Sequence, residues 1–181
     1  MKTKLFAFVA VLTLTLAGAS QVLAQSGIVK WSQEARTCVR APGSAASTIN
    51  SAGGITFSTS AFGDIKLVCS VSSLMSGTDG TTVNAFGLTF NNPNGFVGGV
   101  DKCAIRASFE ENPYNSRFPI LDGSFSTNGT AYTGRNSVDS PIFDTLNFSA
   151  NYYDVFIDLS RVQGATCNPV VFVTFVEEVI Q

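Results

Sequence analysis

Apolar and polar residues alternate along much of this chain with a period of two, as they do in a strand that turns one face to a core. In residues 65–71, Ile65, Leu67, Cys69 and Val71 share one side, while Lys66 and Ser70 share the other. Residues 152–160 show the pattern most clearly. There Tyr153, Val155, Ile157 and Leu159 form an apolar side, and Tyr152, Asp154, Phe156, Asp158 and Ser160 form a mixed one. Residues 83–90, 103–110, 142–149 and 170–179 predict four more strands, and 55–59 and 118–127 two less regular ones. Between them, Phe62-Gly63-Asp64, Gly77-Thr78-Asp79-Gly80, Asn91-Asn92-Pro93-Asn94-Gly95, Asn128-Gly129 and Asn168-Pro169 tolerate positive φ or preset a bend. Gly, Asn and β-branched residues interrupt every stretch that could carry a helical repeat.

About eight short strands separated by turns predict an all-β fold: a single two-sheet antiparallel sandwich of jelly-roll type, with a closed barrel as the other architecture. Residues 25–50 lack clean alternation and read as an irregular N-terminal arm covering one end or edge. The composition agrees. Hydrophobic residues make up 45% and charged ones only 13%, so the surface must be built from Ser, Thr, Asn and Gly, which favour strands and turns over long helices.

The first residues carry Lys2 and Lys4, then an apolar run over 5–17, then Val22-Leu23-Ala24. This is the pattern of a signal peptide over residues 1–24, cleaved after Ala24 to leave 25–181 as one domain. Its apolar run is shorter than the roughly 20 residues of a membrane-spanning helix, and no later segment is longer, so no membrane span is expected. The expected destination is the periplasm or the cell exterior. Removing Lys2 and Lys4 makes the formal charge of −2 more negative by two. Lys30, Arg36 and Arg40 lie near one another with Glu34 among them, which is no phosphate-binding stripe, so nucleic acid is not expected as a partner.

Four cysteines, Cys38, Cys69, Cys103 and Cys167, follow the signal segment, and the chain contains no histidine. Four cysteines permit three connectivities. If successive strands alternate in direction, Cys69 ends an upward strand at the top, whereas Cys103 begins another at the bottom. A strand of that length exceeds the roughly 7 Å that a disulfide can bridge between Cα atoms. Cys167, after a downward strand, falls at the bottom with Cys103, and Cys38 falls at the top with Cys69. The pairing expected is therefore Cys38–Cys69 and Cys103–Cys167. A zinc site needs ligands clustered in close pairs, which these spacings do not supply, so no metal is expected there.

The order Thr37-Cys38-Val39, Gly54-Ile55-Thr56, Leu67-Val68-Cys69-Ser70-Val71, Cys103-Ala104-Ile105, then residues 152–159 before a strand ending in Glu177-Glu178, resembles a group of small, mostly uncharacterised exported bacterial proteins with four cysteines. The resemblance implies a secreted β-sandwich and brings no catalytic residue. Members usually carry Cys-Pro at the second cysteine, where this chain has Cys69-Ser70, and their fourth cysteine lies within the penultimate strand.

Without histidine, Ser-His-Asp and Cys-His arrangements are impossible, and no Gly-x-Ser-x-Gly elbow is present. Two acids at glycosidase spacing would need to lie about 5 to 9.5 Å apart. Asp154 and Asp158 share a strand face but stand about 13 Å apart. Glu110-Glu111 and Glu177-Glu178 are adjacent pairs pointing opposite ways. All of these read as solvated or rim acids, and no catalytic residue, cofactor or enzymatic activity is expected. Asp79 and Asp101 are the candidates for calcium in oxygen-rich loops, with turn formation as the alternative role. Asn128-Gly129-Thr130 and Asn147-Phe148-Ser149 match glycosylation acceptors.

Aromatics are the remaining signal, with 15 Phe, 4 Tyr and a single Trp31. Tyr152, Phe156, Phe86, Trp31 and also Phe90 are candidates for an outward aromatic binding surface, unless the second sheet and the loops cover both faces. Two functions follow. The first is a secreted structural or surface protein that assembles with itself or with another surface protein through edge strands and the N-terminal arm. The alternative is a carbohydrate-binding module that holds a glycan with outward aromatics and polar loops.

Overall fold

The computed structural model describes residues 27–72, 82–116, 118–132 and 134–179. In chain order the strands are β1 (Gly27–Glu34), β2 (Val39–Arg40), β3 (Ser47–Ile49), β4 (Ile55–Phe57), β5 (Gly63–Val71), β6 (Thr82–Asn91) and β7 (Phe96–Val97). They continue with β8 (Val100–Asp101), β9 (Cys103–Pro113), β10 (Ile120–Ser126), β11 (Arg135–Thr145), β12 (Asn151–Arg161) and β13 (Val170–Val179). One 3-10 turn, Ala35–Thr37, follows β1. Sheet A has the order β11-β6-β13-β4-β3, with β1 also paired to β13, and sheet B has the order β10-β9-β12-β5-β2. The chain passes repeatedly from one sheet to the other, giving an antiparallel two-sheet sandwich with the strand order of a jelly roll.

Alternation sets the core. In β5, Ile65, Leu67, Cys69 and Val71 are buried between the sheets, while Lys66 and Ser70 face out. Strand β12, held between β5 and β9, buries Tyr153, Val155, Ile157 and Leu159 in the same way. Across the sandwich, Phe86 of sheet A lies 6.1 Å from Phe109 of sheet B, which stacks in turn on Tyr153 at 5.9 Å. Each such ring removes apolar surface worth roughly 1.5–3 kcal/mol from water. The Tyr153 hydroxyl accepts from the Asn147 N–H at 2.8 Å and from Asn151 Nδ2 at 3.3 Å, so its polar end is satisfied inside the core.

Three expectations change. The segment 25–50 is not an irregular arm, since it supplies β1, β2 and β3. Strand β1 pairs with β13 over seven partners but shifts register between Val29 and Trp31, and this bulge hides the period-two pattern from the sequence. The strand expected over 142–149 runs instead over Arg135–Thr145. Its first half is polar because β11 is an edge strand, and the tolerance of an edge for proline admits Pro141, next to another register shift. Among the described residues the strands number thirteen against about eight expected, because β2, β3, β7 and β8 are only two or three residues long and leave little pattern to read.

The bridges join Cys38 to Cys69 and Cys103 to Cys167, the pairs to which strand direction points. Cys69 lies opposite Val155 and Cys103 opposite Arg161 on β12, six residues apart along that strand. The two bridges therefore sit at opposite ends of sheet B. The first closes against β2, whose Val39 pairs with Val68, so it fastens the N-terminal strands to the sheet.

Candidate functional site

The sequence-derived aromatic surface divides in two. Phe86, Phe90 and Trp31 are buried in the core. For Phe86 and Phe90 the reason is a slip in alternation: the inward set of β6 is Val83, then Phe86, Leu88 and Phe90, and the slip lies beside the β11 register shift. For Trp31 it is the bulge that turns the indole inward opposite Val176. Tyr152 and Phe156 do stand on the outer side of sheet B. Tyr152 is 48% exposed and pairs with the exposed ring of Tyr114 at 5.9 Å. Phe156 lies farther along β12, half-buried.

Phe156 belongs to a groove of about 770 Å³ that crosses sheet B. Two cross-strand rows line most of it, with Glu110 beside them. In one, Phe156 lies opposite Ser108 on β9 and Val68 on β5, and Ser108 lies opposite Ser124 on β10. In the other, Asp158 lies opposite Arg106 on β9 and Lys66 on β5, and Arg106 lies opposite Ser126. Ala41 and Asn128 also line it. With strands about 4.8 Å apart, a groove that crosses β10, β9, β12 and β5 and ends at Ala41, which is hydrogen-bonded to Lys66 in the position of the next strand, is about 19 Å long. One row is neutral and carries the ring, and the other is charged.

Asp158 is the most perturbed group in the groove. Burial pushes its carboxyl above the ordinary 3.8, the neighbouring Asp64 adds to the rise, and Lys66 and Arg106 pull the other way. Its Oδ1 is buried without a hydrogen-bond partner. From Ser108 of the neutral row outward the face is already knit together. Ser108 Oγ donates to Glu110 Oε1 at 3.1 Å, and Asp154 accepts from Ser70 Oγ at 2.6 Å and Asn112 Nδ2 at 3.4 Å. Asp154 is thus a buried, engaged acid and not a solvated one.

Glu177 also departs from the rim-acid expectation. It is buried on the outer side of sheet A, where burial raises its carboxyl above 4.5 and Asp139 adds both repulsion and a hydrogen bond. Asp101 accepts the Gly129 N–H at 3.0 Å, a turn-fixing contact, and Asp79 lies outside the described residues. Asn147 Oδ1 accepts from the N–H and the hydroxyl of Ser149, closing a local turn within one glycosylation motif. Among the described residues, no group of three or more His, Cys, Asp or Glu side chains is placed to hold a metal ion.

Arg106, Ser108 and Ser124 were not singled out by the sequence. The alternation of β9 does place Arg106 and Ser108 outward, but only the cross-strand register shows that they meet Asp158 and Phe156.

A scan against protein-family models gives no match, and a search of curated proteins gives none. Solved structures give likenesses of low identity. The carbohydrate-binding module CBM36 in complex with calcium and xylotriose has a TM-score of 0.45 at 11% identity, over 81% of this chain and 98% of that one. TmCBM61 in complex with β-1,4-galactotriose has a TM-score of 0.43 at 6% identity, over 80% and 86%. The family 11 module from Clostridium thermocellum, in complex with a mixed-linked tetrasaccharide, has a TM-score of 0.41 at 13% identity, over 86% and 94%. At these values the likenesses assign no ligand.

Proposed function

We propose that this is a secreted, non-catalytic module that binds a linear glycan across the outer face of sheet B. The groove carries the reading. It sets a half-buried aromatic ring beside hydroxyls and ions in an open channel about four strand spacings long, which suits a chain of sugar rings better than a compact small molecule. Export follows from a signal peptide over 1–24, and the two disulfides suit an oxidising compartment. Kinship with the exported four-cysteine group belongs to the same proposal. No helix among the described residues is long and apolar enough to cross a membrane.

Calorimetry against a panel of soluble oligosaccharides tests the reading. Phe156→Ala is expected to weaken binding about three- to tenfold. A panel without a binder, or a Phe156→Ala variant that binds as the parent does, rejects it. Intrinsic tryptophan emission is a poor reporter here, because Trp31 is buried and does not line the groove.

One observation favours the assembly reading. Tyr114, Phe118, Leu121 and Tyr152 are all exposed where β9, β10 and β12 meet at one end of sheet B, and Phe118 is 78% exposed. Such an apolar cluster beside an edge strand offers a surface to a second copy or another surface protein. Light scattering over a concentration series decides it: an oligomer lost on Leu121→Asp supports assembly, and a monomer throughout removes it.

A further inference from the structure

The charged row of the groove has a spacing of its own. Arg106 and Lys66 are both exposed and stand one strand to either side of Asp158. Their stems are therefore two strand spacings apart, about 10 Å. Among the described residues, no ion pair joins either cation to Asp158. Both cations act on Asp158 through space without closing a salt bridge to it, so their exposed ends can also meet a ligand.

We infer that the groove takes an acidic polysaccharide in which a sugar bearing a carboxylate or sulfate alternates with a neutral sugar that offers a hydroxyl or amide N–H. The inference rests on the glycan reading and narrows it. A chain lying across the strands presents successive sugars to successive strands, so two cations separated by two strands match anionic groups one disaccharide apart. Asp158 enforces the alternation. An anion on the middle sugar would face the half-buried carboxyl of Asp158 at close range, whereas a neutral sugar brings no opposing charge and has hydroxyls to donate to it. The opposite row completes the fit, since Phe156 and Val68 present apolar surface to the ring faces, and Ser124 presents an exposed hydroxyl. A polymer charged at every unit would satisfy Arg106 and Lys66 but place one charge against Asp158.

Hexasaccharides of hyaluronan and chondroitin, of polygalacturonate and of xylan, titrated calorimetrically into the purified protein, separate the possibilities. Hyaluronan or chondroitin, in which uronates alternate with neutral sugars, is expected to bind about tenfold more tightly than either of the others. Lys66→Gln and Arg106→Gln should each remove about tenfold of that affinity and flatten its salt dependence. Asp158→Asn should raise the affinity for the galacturonate hexamer toward that for hyaluronan. Equal binding of the xylan hexamer, unaffected by Lys66→Gln, overturns this inference and leaves the glycan reading standing. A galacturonate hexamer that binds as tightly as the alternating chains also overturns it. If none of these probes binds, the inference fails; if the wider oligosaccharide panel is silent too, the glycan reading fails with it.

Discussion

Glu177 and Asp139 show how a pair of side chains can acquire chemistry that neither has alone. Burial on sheet A raises the Glu177 carboxyl above its ordinary value, and repulsion from Asp139 and the hydrogen bond between the two add to the rise. The unfolded chain releases the Glu177 proton near its ordinary value of 4.5, whereas the folded protein holds it to higher pH. Across that window the folded state binds more protons, so this pair's contribution to stability is full below 4.5 and is lost as pH rises through the folded value. Asp139→Asn is expected to raise the melting temperature at neutral pH and to flatten its fall from mildly acid conditions; a parallel pH profile would show that the pair is not coupled. The sequence shows both acids but not their meeting, because they lie on β13 and β11 with β6 between them. Residue roles were legible where they depended on one strand, as for Tyr152 and the buried side of β12. They were illegible where a bulge inverted the parity, as for Trp31 and Phe86.

At the level of elements, the two disulfides fasten different things. Cys38–Cys69 spans 31 residues and ties the N-terminal strands to β5, whereas Cys103–Cys167 spans 64 and ties the start of β9 to the loop before β13. If each acts by restricting the unfolded chain, the longer loop contributes more by about 0.6 kcal/mol, on top of about 3–4 kcal/mol for either. Urea unfolding of Cys38→Ala/Cys69→Ala against Cys103→Ala/Cys167→Ala checks this, and a larger loss from the shorter bridge would point to its local anchoring of β2 as the main effect. Strands of seven or more residues with one wet face were readable, β5 and β12 best of all. Strands of two or three residues were not, since two positions cannot display a period, and neither was the polar half of β11, which needs no apolar side at a sheet edge.

For the whole molecule, β1 decides how sheet A is finished. It covers β13 from Val173 to Val179 and seats Trp31 in the core, and Ala35 just after it is fully buried. Removing residues 25–35 is expected to cost at least the roughly 3–5 kcal/mol typical of deleting a buried tryptophan side chain, and to leave an open strand edge prone to aggregate. A truncated protein that keeps the parent's urea midpoint would contradict that role. The amino-acid order by itself determined the all-β sandwich, its main strands and the direction of each chain pass, and hence which cysteines share an end, because alternation and turn chemistry act over a few neighbouring residues. Only the tertiary structure decided that Lys66, Asp158 and Arg106 form one row, that Phe156 faces a groove while Phe86 fills a core, and that Glu177 meets Asp139. Those facts depend on register between strands far apart in the chain, and a single-residue bulge is enough to move a side chain from one face of a sheet to the other.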